Sequence, residues 1–363
     1  MRVAHDLSIH DTPTPTGVER AQHTLLHALL DPDAERTHEH VLLAPGRVPE
    51  PWREHDSVEV VEGRGGAPWL WRETVVPRAV RTRKIDLFHS PVAALPMRLR
   101  CPMIATVHEI PWAGEDAGPG DERASHRLRL TLAANLAWRL VCPSERTAEH
   151  VRRVHPDAAE RVRVLPHALT PDLHAAEHAA LAREPGLVLC VGRLRAKKNL
   201  AVLLEAFARL EASGEGAPRL VIVGPEGEAE AELRERASQP DLAGRVRFAG
   251  FVSDAELGEL YARAACVVMP SLFEGFGLPA LEAMAAGAPL ISARGGVVDE
   301  LVSDAALVVA GDEPAAFSEA LARVLGDERV AQDLVAAGRA RAAQFSLAKL
   351  RRDVHALYAE WRA

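Results

Sequence analysis

Short apolar or β-branched runs alternate with longer amphipathic stretches along almost the whole chain, and this alternation constrains the fold more than any other feature. Candidate strands lie at 41–44, 87–89, 103–108, 140–143, 162–165, 187–191, 219–223, 246–248, 266–269, 290–292 and 306–309, with helical stretches between them. Such a pattern builds parallel sheets with helices on both faces, because successive parallel strands are joined by crossovers. At 363 residues, two domains of ordinary size are expected rather than one. The seam falls at 170–186, which is rich in Ala, His, Glu and Pro and fits no strand. The expected division is an α/β N-terminal domain at 1–169, a linker at 170–186 and an α/β C-terminal domain at 187–345. A last amphipathic helix at 346–363 should pack back toward the N-terminal domain.

Several helices announce themselves. Val18, Ala21, Leu25 and Leu29 fall on one side of a helix at 18–30. Leu200, Leu203, Leu204, Phe207 and Leu210 do the same for 199–213, which stops before Gly214. Ser253 and Glu256 form a capping box ahead of Leu257, Leu260 and Tyr261.

Composition excludes some classes. A formal net charge of -8 argues against a general nucleic-acid binder. No run of eighteen uncharged apolar residues offers a spanning helix, and the opening MRVAHDLSIH lacks the apolar core of a signal peptide. Cys101, Cys142, Cys190 and Cys266 are scattered, which fits buried, reduced thiols in a cytoplasmic protein. His174 and His178 stand four apart without a third ligand nearby, so no metal site is expected there.

The strongest chemical signal is EGFGLPALE, from Glu274 to Glu282, between the strand CVVMP and a helix. Gly275 and Gly277 let backbone approach a ligand, and the helix N-terminus that follows suits a phosphate. A carboxylate before the turn can accept sugar hydroxyls, and one inside the helix can reach a ribose diol. Singly, Glu282 reads equally as a solvated helix residue and Glu274 as a cap. The second signal is GRLRAKKN at 192–199, a basic loop at the carboxyl end of a strand, where doubly wound sheets bind ligands. Arg193 can clamp two phosphate oxygens and Lys198 adds a point charge, together stabilising a leaving diphosphate. Arg195 and Lys197 read as solvated members of the run.

With these motifs stand GVER at 17–20, VHEIPW at 107–112, CPSERTAEHV at 142–151, GFVSDAEL at 250–257 and SLFEGFGLPALEAMAAGAPLISARGG at 271–296. This set resembles the family-4 glycosyltransferases over most of the chain, most densely at 187–309. The resemblance implies the GT-B fold, two Rossmann-like domains facing across a cleft. It also implies retaining transfer of a hexose-type sugar from a nucleotide diphosphate sugar, UDP- or GDP-linked, to a hydroxyl acceptor, with no metal and no permanently bound cofactor. It further implies that the leaving phosphate takes the acceptor's proton.

Carried over by position, Arg193 and Lys198 look like the diphosphate clamp and Glu274 like the sugar-hydroxyl acceptor. Phe276, Gly277 and Leu278 look like backbone contacts to sugar and phosphate, and Glu282 like the ribose contact. Gly17 looks like the close-approach glycine of the first strand–helix loop, His108 like a histidine near the reacting sugar, and Phe251 and Val252 like the backbone that reads the base. His108 also fits a structural role at a strand end.

The sequence departs from the family at Pro166–His167–Ala168, where a PNG-like turn is usual, and in the Pro- and Thr-rich loop DTPTPTGVER, which has one glycine instead of two. The segment 64–100 sets Arg64, Arg72, Arg78, Arg81, Arg83, Lys84, Arg98 and Arg100 against Glu73 and Asp86, and carries Trp69, Leu70, Trp71, Val75 and Val76. That composition suits either peripheral contact with an anionic membrane or an ordinary helix with a basic face. Other readings are an epimerase or phosphorylase on the same fold, an inactive scaffold, and a nicotinamide dehydrogenase. The dehydrogenase lacks a GxGxxG after any candidate strand.

Overall fold

The computed structural model describes residues 1–9, 15–35, 37–50, 52–110, 121–169, 181–211, 217–295 and 297–362. His174 and His178, the expected linker up to residue 180, Pro111 and Trp112, and most of the loop before Gly17 lie outside the described residues. The chain forms two compact units, Met1–His167 with Leu347–Ala363, and Ala168–Ser346.

The first unit holds β1 (Arg2–Asp6), β2 (Glu39–Ala44), β3 (Val58–Glu62), β4 (Leu87–Ser90), β5 (Met103–Thr106), β6 (Arg139–Cys142) and β7 (Val162–Val164). They pair in parallel in the order β3-β2-β1-β4-β5-β6-β7. Helices α1 (Gly17–Leu29), α2 (Pro68–Thr82), α3 (Asp121–Leu136) and α4 (Glu145–Val154) connect them. The second unit holds β8 (Glu184–Val191), β9 (Arg219–Val223), β10 (Val246–Gly250), β11 (Ala264–Met269), β12 (Leu290–Ala293) and β13 (Leu307–Val309), parallel in the order β10-β9-β8-β11-β12-β13. Its helices are α5 (Leu200–Ala208), α6 (Glu230–Ala237), α7 (Asp254–Arg263), α8 (Leu278–Ala285), α9 (Val297–Val302), α10 (Pro314–Gly326) and α11 (Glu328–Ala342). The chain reverses direction across each sheet, between β1 and β4 and between β8 and β11. Ligand crevices of open α/β sheets lie at the carboxyl ends of the strands at such points.

The strands that alternation does not reveal are β1 and β3. β1 reads RVAHD, and two of its three polar residues, His5 and Asp6, are fully inside. They are tolerated because distant residues pair with them: His5 Nε2 lies 3.0 Å from His40 Nδ1, and Asp6 accepts from Arg72 Nε at 2.9 Å. β3 is a partly exposed edge strand of mixed Val and Glu. β8 starts at Glu184, so 184–186 belong to the strand rather than to a linker. β5 ends at Thr106, which leaves His108 in the loop beyond it. α5 ends at Ala208, shorter than its apolar periodicity suggests.

The last helix, α12 (Leu347–Ala359), belongs to the first unit. Its fully buried Tyr358 meets His89 Nδ1 at 2.8 Å. Arg351 reaches Asp31 at 2.6 Å, and Glu360 takes Arg139 at 2.9 Å and Arg163 at 3.0 Å.

Histidines accumulate at this junction. The rings of His355 and His38 are 5.1 Å apart, those of His40 and His5 5.2 Å, and those of His5 and His89 6.0 Å. Burial first, and for His38 and His40 their neighbours' charge second, lowers His38, His40 and His89 from 6.5 to about 4. A histidine held below its unfolded value favours the native state above pH 6.5 and loses that advantage as pH falls toward 4. For the fully buried His89, the shift corresponds to about 3 kcal/mol. The urea midpoint should therefore fall steeply between pH 6.5 and 4, and His89→Gln should flatten that slope. A flat wild-type profile would contradict the burial of these rings.

Candidate active site

The loops after β8, β9 and β11 build the site from two close backbone approaches and a set of hydrogen bonds. Gly192 follows β8, and Gly224 follows β9 so near it that a Cβ on Gly224 would lie 2.1 Å from the Gly192 carbonyl oxygen. A Cβ on Gly227 would lie 2.3 Å from Leu194 O. The basic loop then makes one 3-10 turn, Ala196–Lys198, and Asn199 takes the left-handed conformation at φ 54° before α5. Asn tolerates that conformation better than most residues. Its side-chain amide donates to Pro270 O at 3.1 Å and Gly311 O at 2.6 Å, while Leu272 N–H donates to Lys197 O at 3.0 Å. Three loops at one sheet edge are thereby tied together.

This tie places the Lys198 ammonium against the Glu274 carboxylate. The two side chains are only 14% and 10% exposed. Burial alone would raise the Glu274 pKa, but Lys198, then Lys197 and the Ser271 hydroxyl, outweigh it and hold the carboxyl below its ordinary value. Gly277 sits in the left-handed region at φ 96° as the N-cap of α8, where other residues would be strained. Pro279 follows in the first turn, where its missing N–H costs nothing.

Arg193 lies partly buried in the same loop as Lys198. Glu282 is not a solvated helix residue: it is 3% exposed and accepts from the buried Tyr261 hydroxyl at 2.8 Å. The Phe276 ring packs edge-on against Phe345 at 5.9 Å, so its side chain serves the core. Leu278 opens α8 and packs on the same core. Phe251 is exposed just after β10, and Val252 packs inward. Arg195 is exposed, but Lys197 is half-buried rather than solvated.

In the first unit, Gly17 is the exposed first residue of α1. His108 Nε2 donates to Pro91 O at 2.7 Å, and its ring lies 5.3 Å from that of His167. Burial lowers the His108 pKa, although Pro91 O and Glu109 pull the other way. Sequence reasoning missed the clamping role of Asn199, the Ser271 contact to Glu274, the Tyr261 partner of Glu282 and the pairing of His167 with His108. Only Asn199 left a trace, as a turn-tolerant residue closing a basic loop.

Two doubly wound parallel units with a charged, glycine-spaced loop cluster at a switch point are the architecture of GT-B glycosyltransferases. Residues 175–341 match the family described as Glycosyl transferases group 1, and residues 15–173 match Glycosyltransferase Family 4. The O-antigen chain mannosyltransferase B of Escherichia coli is 29% identical over 278 residues, covering 74% of this chain and 72% of that protein. The D-inositol 3-phosphate glycosyltransferase of Jonesia denitrificans is 30% identical over 286 residues, covering 73% and 68%. Among solved structures, Anabaena HepE in complex with UDP-glucose superimposes with a TM-score of 0.76 at 19% identity, covering 99% of this chain and 100% of that one. Sucrose-phosphate synthase of Thermosynechococcus elongatus gives 0.77 at 22% identity, covering 99% and 98%. The chain belongs to the group 1 glycosyltransferases, enzymes of the GT-B fold.

Gly224→Ala should test the close approach that aligns the loops. It should lower stability by about 1–3 kcal/mol through backbone overlap. An unchanged urea midpoint would show that the β8 and β9 loops do not meet as described.

Proposed function

We propose that the chain transfers a hexose from a nucleotide diphosphate sugar to a hydroxyl acceptor, with retention of anomeric configuration and without a metal ion. The observation that carries this reading is the buried Lys198–Glu274 pair beside Arg193 at the β8/β11 switch point. Lys198 and Arg193 supply the positive charge that a leaving diphosphate needs in a site of low dielectric. Glu274 accepts hydroxyls of the transferred sugar, and the turn Phe276–Gly277–Leu278 presents backbone to sugar and phosphate ahead of α8. Glu282, oriented by Tyr261, takes the ribose diol. Phe251 and Val252 read the base in this scheme, and Gly17 and His108 serve the acceptor side.

The acceptor oxygen attacks the anomeric carbon on the face from which the diphosphate leaves. The bond from carbon to phosphate oxygen breaks, and the departing diphosphate takes the acceptor's proton. UDP-glucose complexes of the Anabaena neighbour favour a uridine donor as the first to try.

Peripheral membrane contact through 64–100, on the cytoplasmic side, belongs to the same reading. Trp71 and Val76 of α2 are spent on the core, but Trp69 is 67% exposed and Leu70 49% exposed, with arginines on the same helix. No helix among the described residues is long and apolar enough to cross a membrane. Pelleting with anionic liposomes, abolished by high salt and by Trp69→Ser, would support the contact, and equal pelleting with neutral liposomes would remove it.

Lys198→Ala and Glu274→Ala should each reduce transfer at least 100-fold while circular dichroism stays native. Full activity in both variants would remove the assignment.

A further inference from the structure

At the amino ends of the second unit's strands, opposite the candidate active site, a groove of about 810 Å³ runs along α11. Small-molecule sites occupy roughly 300–1,000 Å³, so the groove is large enough for one. Glu328, Ala331, Gln332, Val335 and Arg339 line it at the spacing of one helix face. Pro185 and Pro289, at the starts of β8 and β12, and Val324 and Leu325 of α10 complete an apolar middle.

Two guanidiniums meet at one end of the groove. Both converge on Gly287, which is left-handed at φ 71° just after α8. Arg183 donates to the Gly287 carbonyl oxygen, and to Ala264 O at 2.6 Å. Arg339 lies over the Gly287 Cα, where a Cβ would stand 2.6 Å from the arginine Nε. The carbonyls satisfy hydrogen bonds of Arg183 but supply no full negative charge. Neither arginine has a carboxylate partner among the described residues, and the adjacent Glu184 is taken by Arg219 and Arg263. Glu328 lies in the first turn of α11, ~16 Å along the helix axis from Arg339 at about 1.5 Å per residue. It accepts from Gln332 at 2.9 Å. Burial first, and the charge of Arg339 second, lower the Arg183 pKa from its ordinary value. An anion between the two guanidiniums would relieve that repulsion.

We propose that this groove binds an anion with an apolar body, its carboxylate or phosphate head on Arg183 and Arg339 and its hydrocarbon along Val335, Val324 and Leu325. Guanidinium forks match the oxygens of such a head, and the body removes the groove's apolar surface from water. A bare ion would leave that surface wet. A polyanion would lay further charge on it without a cation to receive it. The site uses none of the residues assigned to glycosyl transfer.

The test is calorimetric titration of the full chain with octyl phosphate below its micellar concentration, with inorganic phosphate and with 1-octanol. Saturating uridine diphosphate is present throughout, to occupy Arg193 and Lys198. Octyl phosphate should bind at least about tenfold more tightly than either other probe, because only it engages both the arginines and the apolar wall. Arg339→Gln, which changes an exposed side chain, and Val335→Asp should each weaken it at least about tenfold. Equal affinity for octyl phosphate and inorganic phosphate, tightest binding of octanol, or wild-type affinity in Arg339→Gln would overturn the proposal. Should Val335→Asp not fold, Arg339→Gln decides alone. Co-sedimentation with phosphatidic acid vesicles in the Trp69→Ser background, lost on adding Arg339→Gln, would make the source of the anion a membrane lipid. Binding of octyl phosphate without co-sedimentation would make it a soluble amphiphile. Failure of uridine diphosphate to bind would count against the donor-site reading and leave the Arg339→Gln comparison intact.

Discussion

The ion pair between Lys198 and Glu274 is the buried contact on which the chemistry proposed for the second unit depends. Removing either charge from water is costly, and only the partner and additional hydrogen bonds offset it. The residues that make this possible bear no charge. Asn199 ties the basic loop to Pro270 and Gly311, and the missing Cβ of Gly224 lets the β8 and β9 loops meet. A pair held this way is neutral on its own.

The first unit solves the burial problem differently. Its interior polar residues include histidines kept neutral by desolvation, joined ring to ring and to Tyr358 of the last helix. A deep ion pair, Asp6 with Arg72, anchors the end of β1.

Much of this was legible in the sequence. The parallel α/β class follows from alternation, and strands such as β9, β11 and β12 are visible because their apolar runs are buried on both faces. The capping box of Ser253 and Glu256 appears where its residues place it, with Ser253 N–H donating to Glu256 at 2.9 Å. β1 escaped because half its burial is polar, and polar burial is licensed by partners 35 and 66 positions away. The same holds at the site. Lys198 and Glu274 stand out as residue types, but their pairing spans 76 positions, and only the sheet order brings them together. Taken singly, Glu282 reads equally as a solvated helix residue, because its partner, Tyr261, belongs to another helix.

The most direct measurement is calorimetric titration of the full chain with uridine, uridine monophosphate and uridine diphosphate in EDTA. A site built on Arg193 and Lys198 predicts that the diphosphate binds at least about 100-fold more tightly than the nucleoside without any divalent ion, since charge-assisted contacts of this kind are worth roughly 1.5–3 kcal/mol each. Equal affinity for all three, or diphosphate binding that appears only on adding magnesium, would contradict the account.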